Sequence, residues 1–161
     1  MNAPQPSNVS IRKAHAADAA AVLACLAAAF EPFRDCYSPE GFADSALTPQ
    51  TIDARLRSMD VFVAEADSRI VGTIAANVVS PEEGHLRGMA VLPEWQGRGI
   101  AERLLEAAES HLRACGCSRV TLDTTAPLQR AIRFYERHGY RATGKIGDHF
   151  GMPLYEYAKP L

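Results

Sequence analysis

Apolar positions recur along this chain with two different periods, and the switches between them mark out helices and strands. Val9 to Arg12 reads as a short strand. From Asp18 to Phe30 alanine and leucine dominate, and Val22, Leu23, Leu26, Ala27 and Phe30 fall on one face at helical spacing. Glu31 to Leu47 is rich in proline, glycine, serine and aromatic residues and reads as an irregular loop. Thr48 followed by Pro49 predicts a helix start, with Thr48 as cap and the helix running to about Ser58. The period then shortens. Val61 to Glu65 and Ile70 to Val79 are rich in β-formers and are separated by Ala66-Asp67-Ser68-Arg69, a hairpin turn. His85 to Val91 is a third strand. From Gly99 to Cys115 the period is helical again, with Ile100, Leu104, Leu105, Ala108 and Leu112 in one stripe and Gly116 as its stop. Arg119 to Thr124 is a strand, and Pro127 to His138 a second amphipathic helix with Leu128, Ala131, Ile132 and Tyr135 on one face. Gly139 ends it, and Tyr140 to Lys145 and Met152 to Lys159 close the chain as strands. The expectation is an α/β (α+β) domain, a central sheet with helices packed on it.

The bulk composition narrows what such a domain does. With 161 residues the chain is long enough for one domain with a real core. No internal repeat or long linker divides it, so residues 9–161 are read as a single domain behind a flexible polar lead, residues 1–8. Apolar residues make up 47% and charged residues 22%, ordinary for a globular protein. The formal net charge of −2 argues against a nucleic-acid surface, which needs clustered positive charge. A local anion pocket stays compatible with it, and arginine, which outnumbers lysine, suits bidentate phosphate contacts. The longest apolar run, Ala14 to Phe30, is mostly alanine and contains His15 and Asp18, so no membrane span is expected. The first eight residues lack the charged start and apolar core of a secretory signal. Cys115 and Cys117 flank Gly116 in a CxC rather than a metal-binding or redox CxxC. With Cys25 and Cys36 they are expected as free thiols in a reducing cytosol, in a cytoplasmic protein without a metal site.

The most informative segment is Gln96-Gly97-Arg98-Gly99-Ile100-Ala101, between a strand and the long helix. A helix N-terminus carries unpaired N–H groups and a partial positive charge. Glycines let the backbone curl and aim several N–H groups at one anion, so the segment suits a pyrophosphate. Two glycines also suit a tight strand-to-helix connection without any ligand, and the glycines leave both readings open. A nucleoside-triphosphate loop is excluded by the missing Gly-Lys-Ser/Thr ending. A dinucleotide fingerprint is excluded because Ile100, Ala101 and Glu102 follow the GxG.

The run from Met89 to Ala101 resembles the coenzyme A-binding motif of the GNAT N-acetyltransferase superfamily, Gln/Arg-x-x-Gly-x-Gly/Ala, through Gln96, Gly99 and Ala101. A second block, Ala131 to Tyr140, is similar to the family's later motif, and the resemblance extends from Ile11 to Lys159. It implies a GNAT-like mixed central sheet flanked by helices, and acetyl-CoA as cosubstrate. The backbone of Met89, Ala90 and Val91 would then run beside the pantetheine arm. The N–H groups of Gln96, Gly97, Arg98, Gly99, Ile100 and Ala101 would hold the pyrophosphate, and Tyr135 would lie near the sulfur. Two positions depart from the family's pattern. Leu128 stands where an asparagine is common, four residues before Ile132, and His85 where the strand often carries a glutamate.

The chemistry implied by the resemblance is direct attack of a primary amine, on a small molecule or a peptide, on the thioester. Neutralising an alkyl ammonium of pKa about 10.4 at pH 7 costs roughly 4–5 kcal/mol, and an α-amine near 7.7–8 only about 1 kcal/mol. A base therefore matters most for the former. The candidates are His85, Glu82 and Glu83, each of which also suits a solvent-facing position. Backbone N–H groups of Met89–Val91 suit the developing oxyanion. Tyr135 suits proton donation to the leaving thiolate, or simply core packing. Phe30, Phe33, Asp35, Tyr37, Phe42, Asp148, His149 and Phe150 fall in regions that flank an acceptor site. A non-catalytic acyl-CoA-binding or sensing domain is the alternative, and a homodimer is left open.

Overall fold

A computed structural model describes residues 8–161. The lead expected over residues 1–8 lies outside the described residues except for Asn8, which is exposed. Seven strands form one sheet: β1 (Val9–Lys13), β2 (Asp60–Ala66), β3 (Arg69–Ser80), β4 (Glu83–Val91), β5 (Arg119–Thr124), β6 (Arg141–His149) and β7 (Met152–Pro160). Among the described residues five α-helices flank it: α1 (Ala19–Phe30), α2 (Pro39–Ala46), α3 (Ile52–Ser58), α4 (Ile100–Ala114) and α5 (Gln129–Arg137). The strand order is β1-β2-β3-β4-β5-β7-β6. Every neighbouring pair is antiparallel except β4 and β5, which run parallel. The expected mixed sheet flanked by helices is the one observed.

The period of the sequence is realised in the burial. All five residues of the stripe on α4 are buried. The helix sits so close to the sheet that a Cβ on Gly84 would lie 2.6 Å from the Leu112 side chain, and one on Gly72 2.9 Å from Leu104 Cδ1. Glycine is required at both positions for want of space. α4 also buries Glu109, whose carboxylate accepts from Lys159 Nζ at 2.8 and 2.9 Å and from the Tyr140 hydroxyl at 3.3 Å. The hairpin between β2 and β3 turns through Asp67 and Ser68, both at positive φ, as a tight two-residue loop demands.

Two expectations are corrected. Residues 31–47 are not irregular: Glu31–Cys36 is a 3-10 turn and α2 follows it. Ser38 caps α2 by accepting the Gly41 N–H at 3.1 Å, and Pro39 occupies the first turn. The helix expected from Thr48 begins instead at Ile52. The carbonyl of Thr48 accepts from the N–H of both Thr51 and Ile52, closing a turn ahead of the helix. The helical run Ala16–Cys36, α1 with its 3-10 flanks, spans 21 residues with a mean hydropathy of 1.5 in its apolar window. By length and composition it is long and apolar enough to cross a membrane. In the fold only Ala19–Phe30 is α-helical, and Val22, Cys25 and Leu26 are buried in the core shared with the sheet.

Two irregularities in β4 shape the functional region. Its pairing with β5 ends at Leu86 opposite Leu122, so beyond that point the two strands part. On the other side, Ala75 faces Arg87 while Thr73 faces Ala90, leaving Gly88 and Met89 opposite Ile74 alone. This is a β-bulge, and Gly88 takes it at φ +61°. Past Leu86 the backbone of β4 therefore has β3 on one side and no strand on the other.

Candidate active site

Two cavities meet where β4 and β5 part. The first, about 520 Å³, lies along the end of β4 and the start of α4. Met89, Ala90, Val91, Gln96, Gly97, Gly99, Ile100, Ala101 and Tyr135 all line it. Arg98, expected with them, does not line it; its side chain stacks over the Trp95 ring at 4.6 Å and donates to the Glu94 carbonyl at 3.2 Å.

The turn itself is built to present N–H groups. Gly97 and Gly99 sit at φ +77° and +79°, a conformation costly for any residue with a Cβ. Gly99 is the residue that enters α4. Among the described residues the N–H groups of Gly97, Arg98 and Gly99 find no protein acceptor, and those of Ile100 and Ala101 are the unpaired first donors of the helix. Gln96 differs: its N–H is taken by the Pro93 carbonyl at 3.3 Å. Its side chain donates to the Val91 carbonyl at 3.1 Å and accepts from Arg130 Nη1 at 2.6 Å, tying strand, turn and α5 together. Arg130 and Arg137 of α5 line the same cavity and add positive charge. Neither was singled out from the sequence, where they look like the polar face of an amphipathic helix. Donors, dipole and guanidinium groups together suit a phosphorylated ligand.

Tyr135 is buried in the wall of this cavity, and its ring packs edge-on against Phe134 and Tyr140. Burial pushes its phenol pKa up, so the hydroxyl holds its proton firmly at neutral pH. It makes no hydrogen bond to another described residue.

The second cavity, about 580 Å³, opens on the other side of the bulge. His85 and Asp123 line it, as do Tyr37, Arg55, Thr124 and Thr125. His85 Nδ1 lies 2.8 Å from Thr121 Oγ1, directly across the β4–β5 pair, and its Nε2 lies 3.6 Å from Asp123 Oδ2. Burial lowers the His85 pKa, opposed in part by the Asp123 charge. The shift favours the neutral ring. Thr121 Oγ1 also donates to the Gly84 carbonyl at 3.4 Å, and in the tautomer whose Nδ1–H then donates to Thr121, the Nε2 lone pair and the Asp123 carboxylate face each other; a cationic amine is the group that satisfies both.

Of the three bases expected from the sequence, only His85 lines this cavity. Glu83 is held by Arg119 at 2.7 Å, and the backbone of Glu82 is engaged with Ser118 and Arg119. Phe30, Tyr37 and His149 do line it; Phe33 lines the first cavity; Asp35, Phe42, Asp148 and Phe150 line neither. The Tyr37 hydroxyl shares a 2.6 Å hydrogen bond with Thr125 Oγ1. Phe30 and Leu128 border both cavities, so Leu128 stands at their junction.

Among known proteins, the model of the acetyltransferase (GNAT) family matches residues 23–140, most of the chain. An uncharacterised N-acetyltransferase of Methanocaldococcus jannaschii is 36% identical over 81 residues, and that match spans about half the length of each protein, 50% of this chain and 51% of the relative. The structure of the PaiA N-acetyltransferase of Thermoplasma acidophilum in complex with coenzyme A superposes with a TM-score of 0.77 at 19% identity, over 96% of this chain and 99% of that one. A GNAT-family acetyltransferase of Staphylococcus aureus Mu50 superposes with a TM-score of 0.78 at 18% identity, over 96% and 99%. A GNAT-family acetyltransferase of Elizabethkingia anophelis with acetyl-CoA bound superposes at 0.67 with 15% identity, over 97% and 100%. With its donor-rich turn at the head of α4 and this match over residues 23–140, the chain belongs to the acetyltransferase (GNAT) family.

Proposed function

We propose that the protein moves an acetyl group from acetyl-CoA to a primary amine by direct attack of the amine on the thioester. The observation that carries this reading is the meeting of the two cavities at the β4 bulge, an anion cradle on one side and a partly buried histidine beside a carboxylate on the other. A two-substrate transfer needs both within reach of one carbonyl.

Each group has a defined task. N–H groups from Gly97 to Ala101, with Arg130 and Arg137, hold the phosphates of the donor. The open side of β4 at Met89, Ala90 and Val91 runs along the pantetheine and offers N–H groups to the oxyanion. His85 Nε2 takes the proton from the incoming ammonium while Asp123 holds that ammonium in place. The amine nitrogen then forms the bond to the carbonyl carbon and gives up its second proton to solvent as the carbon–sulfur bond breaks. Tyr135 gives its proton to the departing thiolate and recovers one from solvent.

The non-catalytic alternative rests on Leu128, which places an apolar side chain at the junction where a hydrogen-bonding group is common in the family. One experiment separates the two. Acetyl-CoA should raise the melting temperature, and release of the coenzyme A thiol should appear across a panel of amines. Stabilisation without thiol release from any amine would leave a binding domain; no stabilisation would remove both readings.

Tyr135→Phe keeps the ring and removes the hydroxyl. A thiolate is already a good leaving group, so kcat should fall by about 10²-fold or less, the low end for a general acid. Acetyl-CoA affinity and Tm should stay near their starting values. A variant that keeps full kcat and melts earlier would make Tyr135 a packing residue.

A further inference from the structure

Of the charged groups that line the acceptor cavity and have no task in the transfer chemistry, Arg87 and Asp44 pair with each other, and Arg55 is left over. Arg55 lies in α3 and is only 8% exposed, yet it lines this cavity and not the donor cleft. Its guanidinium is pressed against the bulge, where a Cβ on Gly88 would lie 2.7 Å from Nη1. Among the described residues no carboxylate pairs with it, and its side chain donates no hydrogen bond. The charges nearest to it do not neutralise it. Arg87 repels it, and the attraction of Asp44 is divided, because that carboxylate already accepts from Arg87 at 3.0 Å and lies 4.0 Å from His149 Nδ1. Burial, reinforced by Arg87, pulls the Arg55 pKa down to about 10, still charged at pH 7.

A buried cation without a counter-ion is costly, and a guanidinium matches a carboxylate in plane and spacing. A second polar group in the same wall is also unpaired: Thr124 Oγ1 is buried with no hydrogen-bond partner among the described residues. Elsewhere in the cavity, Asp123 beside His85 supplies the complementary negative pole. One cavity thus holds an unpaired cation for an anion and a carboxylate for an ammonium.

We propose that the acceptor is a free amino acid or a similar amine bearing a carboxylate, which Arg55 binds while the amine faces His85 and Asp123. This rests on the acetyl-transfer reading above. A carboxylate on the acyl chain of the donor has the same chemistry, but Arg55 faces the acceptor side.

The test uses the full chain with acetyl-CoA, and α-amino acids, β-alanine and 4-aminobutyrate, each beside its carboxamide. Thiol release gives kcat/KM. The best acid should exceed its carboxamide by roughly 10²-fold, the value of charge-assisted hydrogen bonds to a buried guanidinium. Arg55→Met should bring that ratio close to one, mainly through KM, and Arg55→Lys should recover part of it. Equal kcat/KM for acids and carboxamides in the native protein overturns the proposal, and that comparison stands even if Arg55→Met does not fold. A preference for succinyl-CoA over acetyl-CoA that disappears in Arg55→Met also overturns it, assigning Arg55 to the acyl group. If no amine is turned over, the transfer reading fails on its own, and calorimetry still decides about Arg55. N-acetyl amino acids that bind the native protein better than their carboxamides support the carboxylate site; equal or absent binding removes it.

Discussion

His85→Ala should lower the rate with an alkyl primary amine by roughly 10²–10⁴-fold, the range of a positioned general base, and the rate with an α-amine by markedly less. The difference follows from the cost of the neutral amine, roughly 4–5 kcal/mol for the former at pH 7 and about 1 kcal/mol for the latter. The pH profile carries a second signature. Burial disfavours the imidazolium of His85, so its basic form persists below the ordinary histidine value of about 6.5. The acid limb of kcat/KM should accordingly lie below pH 6.5 in the native protein and vanish in His85→Ala. The same shift has a stability consequence. The unfolded chain takes up a proton at this histidine before the folded one does, so His85 lowers stability as pH falls through about 6.5. Equal losses with both amines, with the acid limb intact, would show that His85 only supports the β4–β5 pair through Thr121.

Gly99→Val should weaken acetyl-CoA binding by at least about tenfold while leaving the secondary structure in place. A Cβ at Gly99 would meet nothing closer than Glu102 Oε2 at 4.0 Å, so space in the protein is not the obstacle. The obstacle is the backbone at φ +79°, which a β-branched residue resists. Relaxing that angle turns the N–H groups of Gly99 and its neighbours off their common focus. Losing one or two charge-assisted hydrogen bonds of about 1.5–3 kcal/mol each gives the expected loss. Calorimetry with acetyl-CoA measures it directly. Unchanged affinity in a folded variant would place the pyrophosphate elsewhere.

The two sites differ in how much of them can be read along the chain. The proposed cradle is contiguous, six residues that run into the first turn of α4, and the presentation of its N–H groups depends on local backbone angles that glycine itself signals. The burial of Tyr135 was legible for a related reason, since its place on the apolar face of a short amphipathic helix is set by helical spacing, whereas its role beside the sulfur is what the family resemblance implies. The same logic located most elements to within a few residues. It was missed at Ser38-Pro39, which caps α2 with the signal read at Thr48-Pro49, because the surrounding glycine and aromatic residues suggested a loop.

The acceptor cavity has no such local signature. Arg55 and Arg57 are two arginines of one short polar helix, and nothing in their order says that the first is buried and the second exposed. Asp123 is a polar residue at the end of a strand, and it gains meaning only because β5 places it beside His85, 38 residues earlier in the chain. The β4 bulge is likewise invisible, since it is a mismatch between two strands and belongs to neither alone. Hydrophobic period and glycine-bearing turns depend on near neighbours in the chain, and so the amino-acid order already specified the strands, the long helices and the turn with its unpaired N–H groups. The parting of β4 from β5, the burial of an unpaired Arg55 and the pairing of His85 with Asp123 depend on contacts between distant segments, which exist only once the sheet has formed.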